Sequence, residues 1–333
     1  MRAFRLRTRE AAEVREREVM APGATLSEAS VGRAISEKPD AWRTAFEQDK
    51  DRILHSKAFR RLKHKTQVFM NPEGDHFVTR MTHTLQVTQI GDSIARALSL
   101  NADLSEAVCL GHDVGHSPFG HTGEDVLSEF IEGGWRHSEQ SVRIFEALEP
   151  LNLTWEVLDG IRAHSWRVEI PASTHEGNIV RFSDRIAYLA HDALDAIRAG
   201  VLDASQFPPE VLATFGEPGR EWVTVMVQSV IDESYRQNEI TMESHTLEAM
   251  HTLRDFMFEH VYLRPEAEGQ RRRAKQIVRE LVEYFLEHAD EIPLTYVQDQ
   301  ADDLTRVIDY VAGMTDRYAI RTHDELFRPT LFQ

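Results

Sequence analysis

Cysteine is almost absent: Cys109 is the single one in 333 residues. That excludes an intrachain disulfide and fits a reducing compartment. No uncharged apolar run is long enough to span a bilayer. The opening residues, Met1-Arg2-Ala3-Phe4-Arg5-Leu6-Arg7, have no apolar run behind them, so the sequence predicts no signal peptide. A cytoplasmic protein without membrane attachment is the expectation. Positive charge is in deficit, with 38 basic against 55 acidic residues and a net charge of −17. Nucleic-acid binding would need a basic face, which this balance argues against. A small anionic ligand remains compatible where bases cluster, as in Arg60-Arg61-Leu62-Lys63-His64-Lys65 and Arg271-Arg272-Arg273-Ala274-Lys275. Strand signals are sparse, and neither a fixed-period repeat nor a low-complexity tract is present.

What is there is helical. Residues 1–45 are charged and punctuated by Pro22-Gly23, Gly32 and Pro39-Asp40, predicting an irregular arm that folds over the body or a neighbouring subunit. Helical patterning then runs from Trp42 to Arg61, with Phe46, Ile53, Leu54 and Phe59 as apolar positions. Thr66 to Met70 reads as extended and Asn71 to Asp75 as a turn. A helix over Thr82–Leu100 has Leu85, Ile90, Ile94 and Leu98 on one face. The next is capped by Asn101 to Asp103 and spans Leu104 to Asp113. Thr122 is placed to cap a helix through Phe130. Helices follow over His137–Leu148 and Leu153–His164, and Asp184 is expected near the start of another, reaching Ala199. Further amphipathic helices fall near 219–235, 244–259, 268–289 and 297–313. The architecture predicted is all-α: an arm over 1–45, a helical core over 46–200 and a helical extension over 201–333 packed on it.

One stretch stands apart, Cys109 to Glu124, reading CLGHDVGHSPFGHTGE. Three histidines, two carboxylates, three glycines and a proline occur there without apolar periodicity after Val114. Such polar density costs stability unless it is partnered. The adjacent pair His112-Asp113 offers an imidazole nitrogen and a carboxylate oxygen to a first-row divalent metal. With His83 upstream and Asp184 downstream it predicts a mixed nitrogen–oxygen ligand set gathered from separate helices. Such a set suits manganese, iron, cobalt, nickel or zinc better than magnesium on softness and leaves positions for water and phosphate oxygens.

The ordered blocks resemble a known family. His83, His112-Asp113 and Asp184 resemble the HD-domain metal-dependent phosphohydrolases. Asp51 to Leu62, Lys65 to Phe69, Gly111 to His121, Asp184 to Asp192 and Asp309 to Asp316 resemble its dGTPase-like branch, the deoxynucleoside triphosphate triphosphohydrolases. The resemblance covers roughly 40–320. It implies an HD-domain helical core and hydrolysis of dNTPs, dGTP or several, to deoxynucleoside and inorganic triphosphate. It also implies a divalent cofactor, manganese or magnesium foremost, with iron, cobalt or nickel as alternatives. A homo-oligomer, hexamer or tetramer, and a dNTP activator beside the dNTP substrate belong to the same expectation. Two other readings stay open: another HD phosphohydrolase of 5′-deoxynucleotidase type, and a non-catalytic dNTP sensor.

By the same resemblance His121 and Glu124 form the acid–base pair, and their spacing sets them side by side on a helix. His116 contacts a phosphate or satisfies its turn, and His137 lies near the phosphates. Tyr188 packs on the sugar, and Asp192, shared with Gln67, accepts from the 3′-hydroxyl. Asp184, Tyr188, Asp192 and Asp195 share one helix face. Arg80 and Arg185 are the expected phosphate clamps, with Arg61 and Lys65 as weaker ones. His116, His121, His137 and His164 also leave room for a second metal.

Overall fold

The computed structural model describes residues 4, 6–67, 78–296 and 301–328. The expected extended segment beyond Gln67 and the turn at Asn71 to Asp75 lie outside the described residues. Among the described residues there are fifteen α-helices and no strand, only an isolated bridge between Arg33 and Thr154. No helix there is long and apolar enough to cross a membrane.

The arm is not irregular as predicted. It carries α1 (Arg9–Val19), started by Thr8, whose hydroxyl accepts from the Ala11 amide. The punctuating Pro22-Gly23 comes only after this helix has closed. Buried carboxylates then pin the following segment to the body. Glu176 accepts from Thr25, Glu156 from Ser30 and Val31, and Asp49 pairs with Arg33.

The helix predicted over Trp42–Arg61 is two. A capping box of Thr44 and Glu47 starts α2 (Ala45–His55). Ser56 ends it and caps α3 (Lys57–Arg61) by accepting from the Phe59 amide. Leu54 falls on the solvent side, 42% exposed. A Thr79–Thr82 box starts α4 (Arg80–Ala97), on which Leu85 is likewise turned outward, 48% exposed. Asn101 caps α5 (Ala102–Gly111) as expected. Thr122 does not cap α6 (His121–Phe130): the N-cap is Gly120, two residues earlier, and Thr122 lies in the first turn. α7 (His137–Arg143) runs into a π-turn, Ile144–Leu148, and α8 is Trp155–Ala163.

Asp184 lies in the middle, not near the start, of α9 (His175–Arg198), because Thr174 caps the helix by accepting from Gly177. The chain continues through α10 (Pro209–Phe215), α11 (Glu221–Gln237) and α12 (Ser244–Met257), which passes into a π-turn, Phe258–Tyr262. It closes with α13 (Glu268–Glu287), α14 (Asp303–Ala312) and α15 (Asp316–Phe327).

Two apolar clusters hold these helices. The larger includes Ile53, Ile90, Leu104, Val157, Ile179, Trp222 and Leu253, so α2, α4, α5, α8, α9, α11 and α12 share it. The smaller joins Val126 and Leu127 of α6 to Val278, Leu281, Val307 and Ala319. Each buried aliphatic side chain contributes about 1.5–3 kcal/mol. The segment between α5 and α6 is therefore strung between two cores, and it carries the histidine-rich stretch.

Candidate metal centre

Glycine makes the stretch possible. A Cβ on Gly115 would stand 2.3 Å from the Ser141 amide nitrogen and 2.4 Å from the His137 carbonyl. Phe119 and Gly120 both take positive φ, 61° and 58°. The strained turn is held by Asp316, which accepts from the Phe119 amide and from Thr66.

His83 from α4, His112 after α5 and Asp184 from α9 turn their ligand atoms together. His83 Nε2 is 3.1 Å from Asp184 Oδ1, and His112 Nε2 is 3.9 Å from the same atom. Asp113 sits alongside, Oδ1 at 3.5 Å from His112 Nε2 and Oδ2 at 3.8 Å from His83 Nε2. It also belongs to a second triad with His116 and His137. His112 Nδ1 lies 2.6 Å from the Cys109 carbonyl, so it donates there and leaves a bare Nε2. That Nε2 is buried without a hydrogen-bond partner. A buried, unsatisfied nitrogen aimed at two carboxylates is the arrangement a divalent cation completes. The residues present thus fit a divalent ion.

Electrostatics favour charged carboxylates. Burial pushes the Asp113 carboxyl up, but His112, Arg80 and His116 hold it well below the usual range. Burial also raises Asp184, and the hydrogen bond from His83 with the charge of the neighbouring imidazoles brings it down to about 2.

Glu124 serves two histidines. Its Oε2 is 2.9 Å from His121 Nδ1, while Oε1 is 3.2 Å from His137 Nδ1. Burial would raise its carboxyl, yet His137 and His121 hold it well below the ordinary value. His121 projects into the cavity, with 62% of its side chain exposed, whereas Glu124 is buried. His137 Nε2 meets His164 Nε2 at 3.2 Å. His164 Nδ1 is committed to the Ile161 carbonyl, so its Nε2 can only accept there and His137 donates. Burial and the neighbouring histidines lower His164 to about 3; burial alone would lower His137, and Glu124 reverses that and raises it. His116 stacks on His137 at 3.9 Å, and burial with the Arg80 charge keeps it neutral.

A cavity of about 770 Å³ opens over these groups, lined by Gln67, Arg80, His83, Asp113, His116, His121, His137, Asp184, Arg185, Tyr188 and Asp192. Of the candidate metal ligands and acid–base residues, His112 and Glu124 sit behind its wall. Arg80 is engaged by Asp113 and the Thr66 carbonyl. The Arg185 guanidinium carbon lies over Trp166, 3.8 Å from the ring centroid, and its buried Nε has no hydrogen-bond partner. Burial pushes the Tyr188 phenol up to about 12.

Arg61 and Lys65 do not reach the cavity. Arg61 binds Tyr296 and the Gly313 carbonyl; buried Lys65 donates to the carbonyls of His116 and Ala312. Both brace the backbone where the two cores meet. Conversely, Tyr262, Arg254 and Trp166 line the cavity without having been foreseen. They sit on ordinary helical or loop sequence, with no polar cluster to betray them.

Known proteins resemble this chain in sequence and in fold. Residues 80–189 match the HD domain, and residues 240–325 match the phosphohydrolase-associated domain. A deoxyguanosinetriphosphate triphosphohydrolase-like protein of Caldanaerobacter subterraneus subsp. tengcongensis is 48% identical over 98% of this chain and 97% of its own. One from Desulfatibacillum aliphaticivorans is 44% identical, covering 97% and 98%. Among solved structures, a phosphohydrolase from Bacteroides thetaiotaomicron shares the fold, with a TM-score of 0.53, 20% identity, and coverage of 84% of this chain and 69% of that one. From its HD motif and full-length relatives, the chain belongs to the HD-domain phosphohydrolases, in their deoxyguanosinetriphosphate triphosphohydrolase-like family.

Proposed function

We propose that this protein hydrolyses dNTPs to deoxynucleoside and inorganic triphosphate, using a single divalent ion held by His83, His112, Asp113 and Asp184. The observation that carries the reading is the exposed His121, backed by buried Glu124, on the same cavity as that ligand cluster. A protein that only sensed dNTPs would need no base and orienter beside its ligand.

When bound, the ion would supply Lewis-acid charge at a phosphoryl oxygen. The chain's own groups do the rest. Water attacks the α-phosphorus, the bond from that phosphorus to the 5′-oxygen breaks, and the water oxygen leaves in triphosphate. Glu124 holds His121 through Nδ1, so Nε2 is the atom that exchanges the proton delivered to the 5′-oxygen. Arg185, stacked over Trp166 on the cavity wall, supplies a guanidinium charge for the triphosphate. Tyr188 packs against the deoxyribose, and Asp192 with Gln67 takes the 3′-hydroxyl. Gln67 Oε1 is buried without a partner and free to accept.

The test is a product assay. Protein reloaded with manganese or magnesium is given each dNTP singly and then all four together. Deoxynucleoside with intact triphosphate supports the reading, and turnover only in the mixture adds an activator. Orthophosphate or pyrophosphate reassigns it to another HD phosphohydrolase. Tight dNTP binding without turnover reassigns it to a sensor.

A further inference from the structure

The block Asp309 to Asp316 has no place in the chemistry above and lines no part of the cavity. It makes the corner between α14 and α15. Val307, Ile308 and Val311 of α14 and Ala319 of α15 lie in the smaller core together with Phe119, which places that corner firmly behind the turn leading into α6. Polar contacts add to the grip. Asp309 accepts from Arg143 and Gln140 of α7, the Ala312 carbonyl from buried Lys65, and the Gly313 carbonyl from Arg61.

Asp316 is the first residue of α15. Thr315 already caps that helix by accepting from the Tyr318 amide, which leaves the Asp316 carboxylate free to reach outward. The positive end of the helix favours its charge. The side chain is buried, and its two oxygens go to different places. Oδ1 accepts from the Phe119 amide at 3.0 Å. Oδ2 accepts from the Thr66 amide at 2.9 Å and from the Thr66 hydroxyl.

Two lines of contact lead from those oxygens into the site. Phe119 stands two residues before His121, and Gly120 between them is the N-cap of α6. Holding the Phe119 amide fixes the positive-φ turn from which His121 projects. On the other line, the Thr66 carbonyl accepts from Arg80 Nε at 3.2 Å and from Nη2 at 3.0 Å. Arg80 Nη1 then donates to Asp113 Oδ2. The two lines run side by side, since a Cβ on Gly120 would stand 3.3 Å from Arg80 Nη2. One carboxylate of the C-terminal extension thus sets the acid–base imidazole and a metal-ligand carboxylate relative to each other.

We propose that Asp316 is a positioning residue for the reaction, fixing the spacing between His121 and Asp113 without touching the substrate. The proposal goes beyond the dNTP reading and rests on it for its kinetic test. Proton transfer and phosphoryl polarisation need their groups held within a fraction of an ångström of the working geometry. An amide in place of the carboxylate serves only one of the two lines, because its nitrogen accepts from neither backbone N–H.

The test combines kinetics at saturating manganese with calorimetric titration of the metal-free, full-length chain by manganese alone. Asp316→Asn should lower kcat about ten- to a hundredfold with KM within about twofold of the parent's. In a His121→Ala background the same change should cost far less, because the group it positions is gone. Asp316→Asn should also bind manganese about three- to tenfold more weakly, less than the loss of a direct partner of a ligand would cause. Asp49→Asn is the control. Asp49 accepts from the Thr154 amide and hydroxyl as Asp316 does from Thr66, but none of these control residues lines the cavity. It should lose melting temperature and keep kcat. An equal loss of kcat with and without His121, or the same loss in Asp49→Asn, overturns the positioning role. Should Asp316→Asn fail to fold, Thr66→Val, which removes the hydroxyl and keeps the amide, decides: a lower kcat supports the role and a parent-like kcat overturns it. If the parent releases no triphosphate from any dNTP while Asp316→Asn still weakens manganese binding, the reaction is reassigned and the positioning role stands. If the parent turns over and Asp316→Asn matches it in kcat and in manganese binding, the reaction stands and the positioning role falls.

Discussion

The Tyr262 hydroxyl donates to Oδ2 of Asp192 across 2.8 Å, tying the π-turn after α12 to α9 beneath the cavity floor. Both side chains face the cavity, and neither could be paired with the other from sequence, being separated by three whole helices.

Burial pushes the Asp192 carboxyl up to about 7 despite the Tyr262 bond. Its folded value lies above its ordinary 3.8, so the protonated form is the one folding favours. Its contribution to stability is complete below pH about 4 and is lost as pH rises through 7. Asp192→Asn, permanently neutral, should gain melting temperature over the parent progressively between pH 4 and pH 8. A gap that does not change with pH across calorimetric scans would contradict the buried-carboxyl account.

His121→Ala should lower turnover by about 10²–10⁴-fold while leaving bound metal near the parent's level. Asp113→Ala should lose metal and turnover together. Metal content by mass spectrometry beside the product assay distinguishes them, and loss of metal in His121→Ala would remove that residue from its acid–base role.

Removing metal should lower the melting temperature, and restoring it should raise it in a concentration-dependent way, the ion adding about 2.7 kcal/mol of stability at a hundred times its dissociation constant. The cause is the unsatisfied His112 Nε2 between two carboxylates. Scanning calorimetry with and without chelator measures it; identical melting curves would mean that the cluster binds no ion.

Trp166→Leu should raise KM with little change in kcat, because Arg185 loses the ring it lies over. A cation–π contact of about 0.5–2 kcal/mol corresponds to a two- to thirtyfold rise. A fall in kcat with KM unchanged would place Trp166 elsewhere in the chemistry.

Gly115→Ala should destabilise the fold by about 1–3 kcal/mol, since its Cβ would meet backbone atoms of α7 rather than a yielding side chain. Denaturant titration measures this. Unchanged stability would show that α7 can shift without cost.

Local chemistry was legible in the sequence. The absence of strand patterning predicted an all-α chain, and cap residues such as Asn101 marked helix ends, because both depend on neighbours in the chain. His112 and Asp113 stood out in a polar stretch too costly to bury without partners, and His83 and Asp184 were candidates from flanking segments. Three-dimensional placement decided the rest. Glu124 serves His137 as well as His121, His164 closes the histidine row from α8, and Lys65 and Arg61 brace backbone instead of meeting phosphate. The rotation of α13, set by its apolar stripe, decided that Arg272 faces the cavity and Arg273 does not. Those facts follow from the packing of two cores, and the sequence lists side chains without stating which of them tertiary contacts will set within hydrogen-bonding distance.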